Sequence, residues 1–264
     1  MTITTMLGER VRSVSPPIVS ARRVRPRTQA AIVGARMDWV EFFESNINSN
    51  LSSYVRHHWA YNTPVWDAVR TQLPDGGRII ECGSGAGTYS VMLSQFGYEV
   101  TGVELDERMV ELARRNAVQL GGKSVRFQQG SILDLREHYG RYDLAYSTGV
   151  IEHFRHPDAV RILEEEARCA PAVLVVVPSR FVWARKAATF NGIFERYTVP
   201  RLRRVVRDAG LEIVREFGYS AGNKVGRAIE MLSPPIVAAR IFKHFAATIG
   251  ILARSRTFHP IAME

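Results

Sequence analysis

Cysteine is almost absent from this chain of 264 residues: Cys82 and Cys169 are the only two. That scarcity excludes a disulfide-stapled scaffold and points to a reducing, cytoplasmic setting. Long apolar runs are missing too, and none approaches the roughly 18 residues that a membrane-spanning helix needs. The first residues contain no apolar stretch of the secretory kind, which disfavours a secretory leader. The seven histidines show no ligand spacing with cysteines or acids, so no metal centre is expected. Acids are nearly lacking from residues 1–37, where seven arginines face Glu9 alone and hold +6 of the net +9. Pro16, Pro17 and Pro26 break this stretch and no periodicity runs through it. It reads as a basic disordered extension, either transit-like or an over-extended start before Met37. With the charge concentrated there, a nucleic-acid partner is disfavoured for the remainder.

What is present fits one elaborated globular domain, at 46% hydrophobic and 23% charged residues. Residues 38–75 read as an N-terminal helical segment. Trp39, Val40, Phe42 and Phe43 form an apolar face, and Thr63-Pro64 reads as cap and first position of a helix to about Leu73. From 76 to 264 strands and helices alternate. Strands are expected near 78–82, 98–104, 124–128, 143–147, 173–178 and 211–218, and helices near 88–96, 107–119, 157–170 and 200–209. This rhythm argues for a parallel sheet covered on both faces. Val173 to Val177 has the unbroken apolar character of a central strand. Two segments interrupt the rhythm, 179–199 and 219–246. Both should leave the carboxyl ends of strands, where open α/β sheets bind ligands. They read as a lid and a cap insert. Arg180, Arg185, Lys186 and Arg196 in the first, and Lys224, Arg227, Arg240 and Lys243 in the second, accompany abundant aromatic and aliphatic residues. Solvated loop charge and a role in binding an anionic or amphiphilic acceptor are evenly matched readings of that composition.

The most informative stretch is Ile79-Ile80-Glu81-Cys82-Gly83-Ser84-Gly85-Ala86-Gly87-Thr88. An apolar strand ends on an acid, a turn with almost no side chains follows, and a helix begins. Such a turn lets backbone approach a ligand closely and offers free N–H groups. The dinucleotide fingerprint G-x-G-x-x-G fails here, because Thr88 occupies its third glycine position. Glu81 would also oppose a pyrophosphate. A cationic ligand without phosphate, such as S-adenosylmethionine, suits the acid better. Glu104 closes the next strand about twenty residues on, the spacing of a carboxylate that grips ribose hydroxyls. Its alternative is a surface acid at a helix start.

These motifs, in this order, resemble the class I S-adenosylmethionine-dependent methyltransferases over about residues 50–254. Glu81 to Gly87 is similar to the family's first motif, and Glu104 to its second-strand acid. Tyr142 to Phe154 resembles the fourth-strand motif with its following Glu-His pair. Arg196-Tyr197-Thr198 with Ala209-Gly210-Leu211 resembles the approach to the sixth strand, and Ile249 to Arg254 the seventh. The resemblance implies a Rossmann-like, doubly wound sheet of seven strands in the order 3-2-1-4-5-7-6, six parallel and the seventh antiparallel. It implies S-adenosyl-L-methionine as cofactor. Gly83, Ser84, Gly85 and Gly87 would lie beneath its methionine part, with Glu81 near the amino group. Glu104 would hold the ribose and Leu105 pack on adenine. Ser131 and Ile132 would flank the base, with Ser131 standing where many relatives carry an acid. Asp134 reads as a cap. Ser147, Thr148 and Gly149 would border the methyl group.

The implied chemistry is in-line methyl transfer, which depends mainly on alignment and exclusion of water. His153 is the candidate general base where the acceptor arrives protonated, although a packing role after the fourth strand is favoured. Tyr54, His57 and His58 lie where this family's chain folds over the cofactor, and His156 reads as a surface residue. A small-molecule or lipid-like acceptor is expected, with peripheral membrane contact compatible and no oligomeric state implied. The alternatives are an RNA- or protein-directed methyltransferase, or a catalytically silent cofactor-binding partner subunit. Ser147-Thr148-Gly149-Val150 lacks the Pro-Pro-aromatic signature of base-directed amino-methyltransferases. Neither cysteine stands where a cytosine-C5 nucleophile is needed, and only Glu152 matches the paired glutamates of protein-arginine enzymes.

Overall fold

The computed structural model describes residues 38–47, 51–181, 193–221, 243–256 and 258. The basic extension, most of the expected lid and most of the expected cap insert lie outside those residues.

Three helices lead in: α1 (Trp39–Ile47), α2 (Leu51–Tyr61) and α3 (Thr63–Gln72). The alternating part follows as β1 (Arg78–Cys82), α4 (Thr88–Gln95), β2 (Glu99–Glu104), α5 (Glu107–Leu120) and β3 (Val125–Gln129). Then come β4 (Leu144–Thr148), α6 (His156–Cys169), β5 (Ala172–Pro178), α7 (Val199–Asp208), β6 (Leu211–Ala221) and β7 (Ala246–Ser255). Short 3-10 turns occupy Arg136–His138 and Ile151–His153. The single sheet has the order β3-β2-β1-β4-β5-β7-β6. β7 pairs antiparallel with both β5 and β6, and the remaining neighbours are parallel. The expected topology is therefore the observed one.

Alternation along β5 supplies both cores. Val173, Val175 and Val177 face α6 and α7 through Ile162, Leu163 and Leu202, while Leu174 and Val176 face α2, α3 and α4 through Val55, Trp66 and Leu93. A strand buried on both faces has to be apolar at every position. α5 is set by its ends. Asp106 caps it by accepting the Arg108 N–H at 2.9 Å, and Gly121 closes it in the left-handed region at φ 70°.

The helix read over 38–60 is described as α1 and α2, and 48–50 between them lie outside the described residues. The amino-terminal segment differs from expectation in one place. Thr63 is not the cap of α3 but its first residue. Asn62 holds the cap position without a side-chain cap bond, because its amide is engaged elsewhere. β6 also runs three residues past its expected end, so 219–221 of the expected cap insert continue the sheet, as does Ala246 in β7.

Candidate active site

The turn after β1 is tied to β2. Gly83 N–H and Ser84 N–H both donate to the Val103 carbonyl, at 2.9 and 3.1 Å. Gly83, Gly85 and Gly87 all lie at positive φ, at 74°, 52° and 73°. Gly87 is the N-cap of α4. The carboxylate of Glu104 spans the gap between turn and strand. It accepts Gly85 N–H at 2.9 Å on Oε2 and Leu105 N–H at 2.7 Å on Oε1. The backbone thereby fixes the acid at the rim where β1 and β2 end.

Glu81 stands one residue from the end of β1 and is 1% exposed. Ser90 Oγ of α4 donates to its Oε2. Burial, helped by the charge of Glu104, pushes its carboxyl up to about 8, against the lowering effect of Ser90. An acid raised in this way is mostly protonated at neutral pH in the ligand-free protein, and a cation beside it favours its ionised form. Leu105, 54% exposed, projects from the far rim. Ser131 turns inward on its own loop, accepting Leu133 N–H at 3.3 Å, and Ile132 packs on the core beside it. Asp134 does not cap the 3-10 turn after it, whose cap position is Leu135. It pairs with Arg136 at 2.7 Å.

The loop after β4 forms the other side. Ser147 is buried, and Gly149 turns at φ 68° with its N–H on the Val176 carbonyl. Glu152 is buried, and burial pushes its carboxyl up to about 8. The ring of His153 lies edge-on between Trp39 of α1, at 5.7 Å, and Phe194, at 5.8 Å. Burial lowers the His153 pKa and the Ile193 backbone partly opposes that shift, so the imidazole is neutral at neutral pH. Glu195 N–H donates to the Glu152 carbonyl at 2.6 Å. The segment after 182–192 is thereby docked on this loop. His156 pairs with Asp208 at 2.8 Å on the surface.

Among the described residues, four buried polar atoms at the β1 turn, near the end of β4 and in the turn after it close no ordinary hydrogen bond: Ser84 Oγ, Ser147 Oγ, Glu152 Oε2 and His153 Nδ1. Buried polar groups are normally satisfied, so the loops after β1 and β4 are suited to a polar ligand. Acids at Glu81 and Glu104, a turn whose only side chains are those of Ser84 and Ala86, and the exposed apolar Leu105 fit S-adenosylmethionine, which joins cationic, hydroxyl-bearing and planar parts.

Sequence reasoning missed several neighbours. Phe43 of α1 comes within 3.7 Å of the place a Cβ on Gly85 would take. Salt bridges Arg108–Asp38 at 3.0 Å and Arg115–Glu44 at 2.9 Å hold α1 there. Ser90 and the Tyr89–Asn62–Tyr219 group were also not singled out. No local pattern marks them, because they meet the site only through helix packing. The side chain of His57 lies outside the described residues.

Residues 79–171 match the family model described as a methyltransferase domain. An uncharacterized methyltransferase of Mycobacterium sp. (strain KMS) is 32% identical over 119 residues, 45% of this chain and 44% of that one. The ubiquinone biosynthesis O-methyltransferase of Bordetella avium is 31% identical over 86 residues, 32% of this chain and 35% of that one. The aligned stretches span less than half the length of these relatives. Among solved structures, a Thermotoga maritima protein described as a SAM-dependent methyltransferase and possible histamine N-methyltransferase superposes with a TM-score of 0.56. It is 21% identical and covers 83% of this chain and 100% of its own. The magnesium protoporphyrin IX methyltransferase of Synechocystis with bound SAM gives a TM-score of 0.53 at 18% identity, over 84% and 99% of the two chains.

Proposed function

We propose that this chain, whose residues 79–171 match a methyltransferase domain within a class I methyltransferase fold, moves a methyl group from S-adenosylmethionine to a small-molecule or lipid-like acceptor. The observation that carries the reading is the glycine turn set between two acids, Glu81 buried behind it and Glu104 bonded across it. Bound there, the cofactor supplies a methyl group on a sulfonium, already activated for transfer. The chain's own residues align and enclose. Glu81 would hold the ligand's ammonium as a carboxylate, its proton released to solvent. Glu104 turns spare carboxylate lone pairs to ribose hydroxyls while its backbone bonds hold it still. Ser147, Thr148 and Gly149 would border the reacting atoms, and Phe43 of α1, within 3.7 Å of the place a Cβ on Gly85 would take, would help to keep water from the turn.

The ubiquinone biosynthesis O-methyltransferase, matched at 31% identity over 86 residues, supports a small, lipid-like acceptor. Cysteine-mediated chemistry on a base is disfavoured. Cys82 and Cys169 are both buried, and burial pushes both thiols far up. The test is calorimetric titration with S-adenosylhomocysteine, followed by incubation with labelled cofactor and acidic or lipophilic cell extract. Saturable binding and label in a small extractable product are expected. Absence of S-adenosylhomocysteine binding would overturn the donor assignment. Label found only in protein or RNA would overturn the acceptor class.

A further inference from the structure

Two adjacent glutamates of α6 have opposite surroundings. Glu165 receives the Leu135 N–H at 2.7 Å, the Tyr139 hydroxyl at 2.8 Å and Arg168 at 2.5 Å. Glu166 is fully buried, and among the described residues neither of its carboxyl oxygens closes an ordinary hydrogen bond. It stands on the stripe of α6 that faces the sheet, one helical turn after Ile162 and Leu163. An apolar side chain there would bury as much surface without leaving a polar group unpaired, and exchanges of that kind are commonly neutral or stabilising. Packing alone therefore gives no reason for an acid at 166.

Its neighbours give one. Ser147 of β4 is the side chain that acts on the Glu166 carboxyl, and its Oγ is likewise buried and closes no ordinary hydrogen bond. The charge of Glu166 also weighs most on Cys82, the last residue of β1. Cys82 directly precedes Gly83, and Ser147 stands two residues before Gly149. Glu166 thus lies under the ends of both strands that lead into the candidate site. The titratable groups about it are Cys82 on β1, and Glu165 and Cys169 on α6, with Arg168 already paired to Glu165. None of them offers Glu166 a counter-charge. Burial therefore leaves the acid its proton, and Ser147 Oγ, to which no other described group donates, is an acceptor for it.

We propose that Glu166 is a positioning residue for methyl transfer: its carboxyl O–H donates to Ser147 Oγ and so holds the end of β4, whose residues Ser147, Thr148 and Gly149 would border the methyl group. The inference rests on the donor assignment above. Calorimetry on the full chain tests it with S-adenosylmethionine and S-adenosylhomocysteine, which differ by that methyl group and its charge. Glu166→Met removes the donor at similar volume. E166M should melt no lower than wild type and leave S-adenosylhomocysteine within about twofold, while S-adenosylmethionine weakens roughly fivefold, the loss of about one hydrogen bond. S147A should shift the ratio of the two affinities equally, and joining it to E166M should add nothing further. E166Q, whose amide still donates, should keep the wild-type ratio. Equal weakening of both ligands by E166M, an unchanged ratio, or additive losses in the double variant would overturn the proposal. An E166Q that loses as much as E166M would make Glu166 a charge and not a donor, and overturn it too. An E166M that melts lower or fails to fold would show the acid to be structural, with the same result. If wild type bound neither ligand, the donor assignment itself would fall. Wild-type binding of both, with an unchanged ratio in E166M, would remove only the role of Glu166.

Discussion

A methyl group added at Gly87 would stand 2.5 Å from Phe127 Cζ and 2.8 Å from Ala113 Cβ, on a backbone at φ 73°. At Gly85 the nearest atom is Phe43 Cζ at 3.7 Å, an ordinary contact, and the only strain is φ 52°. The two glycines therefore serve different ends, one packing α4 and α5 onto β3 and the other leaving the turn bare. Gly87→Ala should cost about 2–4 kcal/mol of stability, combining left-handed strain and overpacking. Gly85→Ala should cost about 1–2 kcal/mol and, on the proposed reading, lower S-adenosylhomocysteine affinity more than G87A does in the surviving folded protein. Urea denaturation and calorimetry on both variants check the contrast, and equal stability losses would contradict it. These glycines and the two acids were legible in the sequence because backbone at positive φ and a strand-ending carboxylate each demand particular residue types. Ser90, Phe43 and Trp39 were not. They are ordinary helix residues, and only the angle at which α4 and α1 cross the strand ends makes them neighbours of Glu81, Gly85 and His153.

At the scale of elements, the strands were read to within a residue or two over β1 to β5, since apolar runs bounded by turns leave little choice. β6 was read as ending near 218, whereas pairing with β7 continues to Ala221 and Ala246. One junction ties late elements together. Glu216 of β6 receives Arg203 of α7 and Lys243, three residues before β7, the latter at 2.6 Å. Those cations hold its carboxyl down at about 2. A depressed carboxyl stabilises the fold above its unfolded value near 4.5 and loses that contribution as pH falls toward about 2. E216Q should therefore be destabilised by about 1–3 kcal/mol at neutral pH, with the difference from wild type shrinking below pH 4.5. Denaturation across that range reads it, and a gap independent of pH would refute the ion-pair account.

For the whole molecule the titration runs the other way at higher pH. Glu81, Glu152 and Glu166 are each pushed to about 8 by burial. Ser147 opposes the shift at Glu166, although neither carboxyl oxygen closes an ordinary hydrogen bond. The folded state keeps these protons while the unfolded chain releases them above about 4.5, so stability falls as pH rises from there through about 8. Ligand-free protein should melt at a higher temperature at pH 6 than at pH 8. E166Q should flatten that slope, because its amide matches the neutral acid. A melting temperature that rises between those two pH values would exclude this account. The reversal of β7 has a consequence of a different kind. Because β7 runs backward between β5 and β6, Pro178 lies opposite Thr248, and Ser179 N–H reaches the Ala247 carbonyl. The carboxyl ends of β5 and β6 and the amino end of β7 thus meet at one rim of the sheet. Residues 79–131, which carry the glycine turn and its acids, lie in the other half. Chain length added between Ser179 and Tyr197, or between β6 and β7, would therefore begin and end beside that one rim, since Ser179 bridges Tyr197 and Ala221 pairs with Ala246.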